Sequence, residues 1–249
     1  LKDKPINLHF YIPEGDIKAM PIVFILPGTS RNANDYLDAW VKHFKDWKVI
    51  AIALEFPQNH HSTSEYIEGN MFKNNKALPE EQWSYSVIEA IFDHVKSETG
   101  NQSVQYNMFG HSAGAQFVHR FVTFKQNTHL NKAIAANSGW YTVPDTRIEY
   151  PYGLKNSGFP DQSTLTHLFG SNLIVALGDQ DTDPNDSSLR HTPEADAQGL
   201  YARGEHYYSE SQQISQTNSM IFNWKRVIVK GVAHDFEAMM VETADYLGL

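Results

Sequence analysis

Residues 104–124 read VQYNMFGHSAGAQFVHRFVTF, and this stretch decides the fold. The run 104–109 is rich in β-prone apolar residues and stops at Gly110, which predicts a short strand. After the turn, apolar residues recur at the spacing of an amphipathic helix. The motif Gly-x-Ser-x-Gly, formed by Gly110, Ser112 and Gly114, is therefore expected on a sharp strand-to-helix turn that holds the serine hydroxyl above the edge of the sheet.

The two glycines of this motif have a steric role, because a Cβ at either position is expected to clash with a neighbouring strand or helix. The helix after Ser112 directs its N-terminus, with its partial positive charge, toward the place where negative charge would develop. The pattern alone arises by chance in some chains. Its flanking strand and helix favour a nucleophile over an idle serine in a glycine-rich turn.

With this motif in its strand–turn–helix setting, the chain resembles the α/β-hydrolase superfamily from about Pro21 to its C-terminus. Within that superfamily it is similar to the bacterial serine esterases grouped near polyhydroxyalkanoate depolymerases and feruloyl esterases. The resemblance implies an α/β fold with a mostly parallel central sheet, helices on both faces and small lid or rim insertions. A length of 249 residues suits one such domain over residues 1–249.

The same resemblance implies an oxyanion hole built from two backbone amides. One amide comes from the loop Pro27-Gly28-Thr29-Ser30, which follows a buried strand. Many members carry His-Gly at the start of this loop, whereas this chain has Pro27-Gly28, which keeps the backbone donor and removes the histidine. The donor is expected at Thr29, with Ser30 as the alternative. The second donor is expected at Ala113, directly after the nucleophile.

The catalytic acid of this fold follows a later buried strand, commonly as Gly-x-x-Asp. In this chain the strand is predicted over residues 173–177 and is followed by Gly178. That register selects Asp181 as the acid. Asp183 is the reserve candidate and Asp179 the weaker one, since all three carboxylates lie within five residues.

The alternating carboxylates of this loop also allow a calcium site. The EF-hand pattern, however, requires Gly at its sixth position and Glu at its twelfth, where this chain has Pro184 and Arg190. No other cluster has convincing metal-ligand spacing, and no Gly-x-Gly-x-x-Gly motif follows the first strand. We therefore expect neither a metal ion nor a cofactor.

His234 follows the last predicted strand, on a glycine turn that precedes the closing helix. The order Ser112, Asp181, His234 is the order of this fold and differs from the orders in chymotrypsin and subtilisin. His234 is expected to take the serine proton, while Asp181 orients the imidazole and stabilises the imidazolium. His111 is interpreted as a packing or substrate-side residue, because side chains at such a turn diverge.

Substrate-binding candidates come from the loops around these residues. Ser30 belongs to the loop of the oxyanion hole. Trp140 and Tyr141 follow the strand next to the nucleophile and are candidates for the acyl or leaving-group pocket, with core packing as the alternative. Arg203, in a polar and partly helical segment, is a rim candidate, with a solvated helix face as the alternative.

Composition excludes several other classes of protein. The formal net charge of −9 argues against a nucleic-acid partner, and no apolar run approaches the 18 residues that a membrane span needs. The chain has no cysteine, which excludes disulfides and a thiolate nucleophile and suits either the cytosol or an extracytoplasmic compartment. The chain begins at Leu1, as it would after removal of a signal peptide for secretion or for the periplasm.

The resemblance implies a serine hydrolase that cleaves small-molecule or polysaccharide-linked carboxylic esters through an acyl-enzyme intermediate, and Ser112, Asp181 and His234 supply the machinery for that reaction. A serine peptidase or amidase on the same scaffold is an alternative, because the triad serves both reactions. A binding module with a degenerate triad is less favoured, because all the triad residue types are present. Ser112 excludes a haloalkane dehalogenase, which needs an aspartate there. The sequence carries no signal for the oligomeric state.

Overall fold

The computed structural model describes residues 4–158, 162–185 and 199–249. The strands are β1 (Asn7–Tyr11), β2 (Ile22–Leu26), β3 (Ile50–Glu55), β4 (Phe72–Lys73), β5 (Lys76–Ala77), β6 (Tyr106–His111), β7 (Leu130–Ala136), β8 (Leu173–Gly178) and β9 (Lys225–Val229). The helices are α1 (Ala33–Phe44), α2 (Thr63–Ile67), α3 (Val87–Thr99), α4 (Ala113–Phe124), α5 (Gln162–Gly170), α6 (Gly199–Thr217) and α7 (Phe236–Thr243). None of the helices in these ranges combines the length and apolar character needed to cross a membrane.

Seven of these strands form one sheet in the order β1-β3-β2-β6-β7-β8-β9, and β4 pairs with β5 in a small hairpin. The pair β1–β3 at one edge is antiparallel, and the remaining pairs of the large sheet are parallel. Parallel strands direct their carboxyl ends to the same edge, which is where open α/β sheets bind their ligands. The loops after β2, β6, β8 and β9 therefore meet at one edge.

The apolar core lies on both faces of the sheet, as the continuous apolar run of β2 shows. Ile22, Phe24 and Leu26 pack into a core with side chains of α3, α4, α5 and α6. Val23 and Ile25 point to the opposite face and pack with α1 and α7. A strand covered by helices on both sides needs apolar residues at every position. The predicted fold class, a mostly parallel sheet between two helical layers, is confirmed.

The turn between β6 and α4 has the strained form that the motif predicts. Ser112 adopts φ 55° and ψ −116°, which is unfavourable for a residue with a Cβ. A Cβ on Gly110 would lie 2.4 Å from the carbonyl oxygen of Gly114, and one on Gly114 would lie 1.9 Å from that of Leu26. Both glycines are thus required where strand, turn and helix approach each other.

Two insertions lie outside the large sheet. The first follows β3 and carries α2 and the β4–β5 hairpin, and the second follows β7. They contact each other, since the rings of Phe72 and Tyr150 lie 5.0 Å apart. The Tyr150 hydroxyl also donates a hydrogen bond to the Glu68 carbonyl oxygen at 3.2 Å. The insertions therefore support one another beside the sheet.

Candidate active site

A cavity of about 310 Å³ opens at the carboxyl ends of β2, β6 and β9. Its lining combines backbone of the loop after β2 with side chains from three other segments. The lining residues are Gly28, Thr29, Ser30, Asn32, Tyr36, His111, Ser112, His234 and Phe236. A larger cavity of about 930 Å³ between β1 and α3 shares none of these residues.

Ser112 lies at the base of this cavity and is 7% exposed. Its amide donates a hydrogen bond to the Ala136 carbonyl oxygen at 3.0 Å, which fixes the turn against β7. Ala113 is the first residue of α4, so its amide has no acceptor within the helix. A strained, buried serine beside a helix N-terminus suits a nucleophile whose product charge is stabilised by backbone amides.

His234 contacts the carboxylate of Asp181, with 2.8 Å between Nδ1 and Oδ2. Asp181 is buried and its amide donates to the Gly178 carbonyl oxygen at 3.1 Å, which ties the loop to the end of β8. The Asp181 carbonyl accepts a hydrogen bond from the Tyr201 amide of α6 at 2.9 Å. Nδ1 is thus occupied, and Nε2 is the nitrogen left for a partner in the cavity.

The two neighbouring carboxylates make other contacts. Asp179 Oδ1 accepts a hydrogen bond from the Gly231 amide at 2.7 Å and so joins the loops after β8 and β9. Asp183 is exposed, and its Oδ1 accepts from the Asn185 amide at 2.8 Å in a local turn. Of these three aspartates, the structure brings Asp181 to His234.

The loop after β2 runs directly beside Ser112, since a Cβ on Gly28 would lie 3.6 Å from Ser112 Cβ. The Gly28 carbonyl oxygen accepts a hydrogen bond from the Arg31 amide at 3.0 Å. In a trans peptide the carbonyl and the following amide point in opposite directions. The Thr29 amide therefore points away from this tight turn.

Ser30 is the alternative donor of this loop. The Thr29 carbonyl oxygen accepts a hydrogen bond from Gln58 Nε2 at 2.7 Å. The Ser30 amide belongs to the same peptide unit and therefore points away from Gln58. Both side chains, Thr29 and Ser30, are exposed and line the cavity.

His111 directly precedes Ser112, contacts Tyr36 of α1 and is 3% exposed. Burial holds the pKa of His111 well below its ordinary value, and the nearby His234 lowers it further. The two imidazole rings lie 4.6 Å apart. A neutral His111 avoids a second positive charge beside an imidazolium at His234. Its position, buried but at the cavity wall, leaves open both predicted roles, packing and contact on the substrate side.

Three predicted substrate-binding residues are in the core instead. Trp140 is 1% exposed, and the ring of Tyr141 stacks on Tyr207 with centroids 4.4 Å apart. Arg203 is buried and donates to the Gly139 carbonyl oxygen at 2.9 Å. None of the three lines the cavity. Trp140 and Tyr141 are buried in the segment after β7, and Arg203 on α6 is tied to that segment through the Gly139 carbonyl oxygen.

Sequence reasoning missed two aromatic residues of the cavity wall. Neither Tyr36 nor Phe236 is among the site residues that the sequence predicts. Their rings stack with centroids 4.0 Å apart and 18° between planes. The position of Phe236, two residues after His234, was the available signal for its place at the site.

The structure describes the three aspartates of the calcium pattern but not all of its positions. No group of three or more His, Cys, Asp or Glu residues there is arranged to hold a metal ion. Arg190, at the twelfth position of the calcium pattern, lies outside the described residues.

Comparison with solved structures identifies the family. Poly(aspartic acid) hydrolase-1 from Sphingomonas sp. KT-1 is 35% identical to this chain, covers 99% of it, is itself covered to 94%, and superposes with a TM-score of 0.95. The chain belongs to the α/β-hydrolase superfamily. A poly(3-hydroxybutyrate) depolymerase from Bordetella parapertussis is 29% identical, with a TM-score of 0.92 over 99% of this chain and 84% of that one. The predicted resemblance to α/β-hydrolase esterases is thus confirmed.

More distant α/β-hydrolases share the fold alone. An S-formylglutathione hydrolase from Agrobacterium tumefaciens is 13% identical, with a TM-score of 0.62 over 98% of this chain and 89% of that one. No protein-family model matches the sequence, and no curated protein matches it either. The identification of this α/β-hydrolase therefore depends on the structural matches and on the site geometry.

Proposed function

We propose that this α/β-hydrolase is a serine carboxylic-ester hydrolase that works through an acyl-enzyme intermediate. One observation carries the proposal. Strained Ser112 shares a cavity with His234, and the other ring nitrogen of His234 is bonded to buried Asp181. A serine hydroxyl is a weak nucleophile at neutral pH, and this arrangement supplies the base that it needs.

In the first step, His234 Nε2 takes the hydroxyl proton as Ser112 Oγ attacks the ester carbonyl carbon. The contact of Asp181 with Nδ1 keeps the proton on that nitrogen, so that Nε2 carries the lone pair. The imidazolium then gives its proton to the leaving alcohol. Water repeats the sequence on the acyl-enzyme and releases the acid.

The negative charge of each tetrahedral intermediate would be stabilised by the amides of Ala113 and Thr29. The first lies at the positive end of α4, and the second lies in the loop that passes Ser112. Removal of one such donor costs about 3 kcal/mol of barrier in serine hydrolases. Ser30, which belongs to the same loop and lines the cavity, is proposed to contact the substrate.

The relatives support two substrate classes. One relative is named as a depolymerase of poly(3-hydroxybutyrate), which is a polyester. This name supports small-molecule or polymer-linked esters as substrates of this chain. Poly(aspartic acid), named for the other, has an amide backbone, which supports hydrolysis of amides in an acidic polymer as the second candidate. The described cavity lining offers no lysine or arginine to an acidic polymer, and this favours the ester.

The proposal is tested by labelling and by turnover. A fluorophosphonate should modify Ser112, as mapped by mass spectrometry, and Ser112→Ala should abolish both labelling and activity. The turnover panel contains p-nitrophenyl esters of varied acyl length, feruloyl and acetylated-sugar esters, 3-hydroxybutyrate oligomers, p-nitroanilides and poly(aspartic acid). Labelling at another residue would refute the nucleophile, and faster turnover of the amides would move the function to the second candidate.

A further inference from the structure

The hydroxyl of Tyr36 joins three segments of the candidate site. It accepts a hydrogen bond from the Gly28 amide at 3.0 Å, and it lies 3.2 Å from Nδ1 of His111. The Tyr36 ring stacks on Phe236, which follows the His234 loop. Tyr36 is 3% exposed, so these contacts are shielded from solvent. One side chain thus touches the oxyanion loop, the nucleophile turn and the histidine segment.

A second buried tyrosine, Tyr66, forms a hydrogen bond to the opposite side of the same peptide unit. The Tyr66 hydroxyl donates to the Pro27 carbonyl oxygen at 2.8 Å. This oxygen and the Gly28 amide belong to one peptide unit and point in opposite directions. Tyr66, from α2, is fully buried, and the Arg31 guanidinium lies 3.9 Å from the centre of its ring.

The direction of the hydrogen bonds follows from the groups present. The Tyr36 oxygen accepts from Gly28, and in the Nε2–H tautomer of a neutral His111 the Nδ1 atom accepts the Tyr36 hydroxyl proton. The Tyr66 hydroxyl has a carbonyl as its partner and must donate. Each hydroxyl proton is thereby used, and neither hydroxyl is free to rotate away from the loop.

We propose that Tyr36 and Tyr66 are positioning residues that fix the Pro27–Gly28 peptide plane and so set the direction of the Thr29 amide in the oxyanion hole. The inference rests on the proposed function and adds a device for preorganising that hole. It concerns residues that act through the backbone, since the oxyanion itself would be bound by the amides.

The flexibility of glycine makes such a device necessary. Gly28 has no Cβ, and a Cβ there would lie 3.1 Å from the Tyr36 oxygen, so a side chain at this position would push the hydroxyl away by a few tenths of an ångström. A glycine without restraint can turn its flanking peptides through many orientations. The Thr29 amide belongs to the peptide unit that follows Gly28. A hydrogen-bond donor lowers the barrier when it already points at the position of the oxyanion before the reaction begins. Tyr36 holds the peptide before Gly28, and the Arg31 amide holds the peptide after it.

The test is the pair of variants Tyr36→Phe and Tyr66→Phe, which keep the rings and remove the oxygens. We expect kcat to fall about 10- to 100-fold in each, below the loss for a missing donor, with KM changed less than about twofold. Inhibition by a trifluoromethyl ketone, whose hemiketal oxygen occupies the oxyanion hole, should weaken by the same factor as kcat/KM. The double variant should lose less than the product of the single losses, because both act on one peptide.

Tyr11→Phe is the matched control, since the Tyr11 hydroxyl donates to the Lys45 carbonyl oxygen at 3.4 Å on the edge strand. It should keep wild-type kcat and wild-type inhibition. If Tyr36→Phe has a much lower melting temperature than wild type, the test relies on Tyr66→Phe, which is judged by the same changes in kcat, KM and inhibition.

Two results would overturn the inference. One is folded Tyr36→Phe and Tyr66→Phe enzymes with unchanged kcat and inhibition. The other is a loss of kcat with unchanged inhibitor affinity, which marks a merely structural role. The variant Ser112→Ala distinguishes a failure of the proposed function from a failure of the positioning role. Activity that persists in Ser112→Ala refutes the proposed function, whereas its loss beside fully active tyrosine variants refutes the positioning role alone.

Discussion

Asp181 Oδ2 lies 2.8 Å from Nδ1 of His234, although 53 residues separate them in the chain. The contact depends on two loops that follow neighbouring parallel strands, β8 and β9. Asp179 joins the same loops through the Gly231 amide. The sheet thus brings the acid and the imidazole together, and a second aspartate fixes the distance between their loops.

Replacement of Asp181 by Asn should lower kcat by about 10⁴-fold, because an amide can favour the wrong imidazole tautomer. Asp179→Asn and Asp183→Asn should cost far less, since an Asn oxygen can still accept from the Gly231 or Asn185 amide. The measurement is kcat for the three variants, with thermal melts to establish folding. A collapse in Asp183→Asn with activity kept in Asp181→Asn would contradict the assignment.

The strain at Ser112 predicts an unusual effect on stability. Its φ of 55° and ψ of −116° disfavour any residue with a Cβ, at a cost of about 1–3 kcal/mol. Ser112→Gly should relieve this strain, whereas Ser112→Ala keeps it, and both remove the nucleophile. We expect Ser112→Gly to melt about 2–12 °C above Ser112→Ala. Equal melting temperatures in calorimetry would argue against stored strain at the turn.

The second glycine of the motif should tolerate no side chain. A Cβ on Gly114 would lie 1.9 Å from the Leu26 carbonyl oxygen, a backbone atom that cannot move without displacing β2. Gly114→Ala should therefore lose about 3 kcal/mol or more of unfolding free energy, measured by denaturant melts. Gly170→Ala is the matched control, because a Cβ there has open space. Similar stability of the two variants would show that the turn can relax.

The exposed and buried candidates for substrate binding should separate in kinetics. Ser30 lines the cavity and is exposed, so Ser30→Ala should change KM across a series of acyl lengths. Trp140 is buried, and Trp140→Phe should lower the melting temperature by a few degrees while KM stays within about twofold. A changed acyl-length preference in Trp140→Phe would return this residue to the substrate pocket.

Local patterns predicted the turn and the buried strands, and the family resemblance that rests on them implied the parallel sheet. The glycine–serine motif lies between a strand and a helix, and the buried strands are apolar at every position. A parallel sheet leaves few arrangements for such strands. The register after Gly178 also singled out Asp181, which the structure brings to His234. The strand–turn–helix pattern used neighbouring residues only, whereas the parallel sheet and the Gly-x-x-Asp register were implied by the resemblance to α/β-hydrolases.

Side-chain direction beyond the strand ends was not predictable in the same way. Trp140 and Tyr141 follow β7 near the nucleophile, but the path of the chain after β7 turns both into the core. Tyr36 looked like an ordinary core position on α1, yet its hydroxyl reaches the Gly28 amide. Such contacts depend on packing between segments distant in sequence, and no local pattern encodes them.

Two buried histidines should make the fold sensitive to mild acid. Burial holds the pKa of His111 and of His119 well below the ordinary value of 6.5. The His119 imidazole is locked as a neutral ring, with Nδ1 at 2.9 Å from the Ala115 carbonyl oxygen and Nε2 accepting from the Thr142 amide at 3.1 Å. Below about pH 6.5 the unfolded chain therefore binds protons that the folded chain refuses.

Stability should consequently be full above pH 6.5 and fall as the pH decreases, because the unfolded state holds more protons in that range. Each histidine contributes a slope of up to about 1.4 kcal/mol per pH unit. The measurement is the unfolding free energy between pH 7.5 and 5.0. His119→Gln should show a smaller decrease than wild type over this range, whereas His94→Gln, at an exposed position on α3, should keep the wild-type slope. A His119→Gln slope equal to that of wild type would mean that His119 is protonated in the folded chain despite its burial.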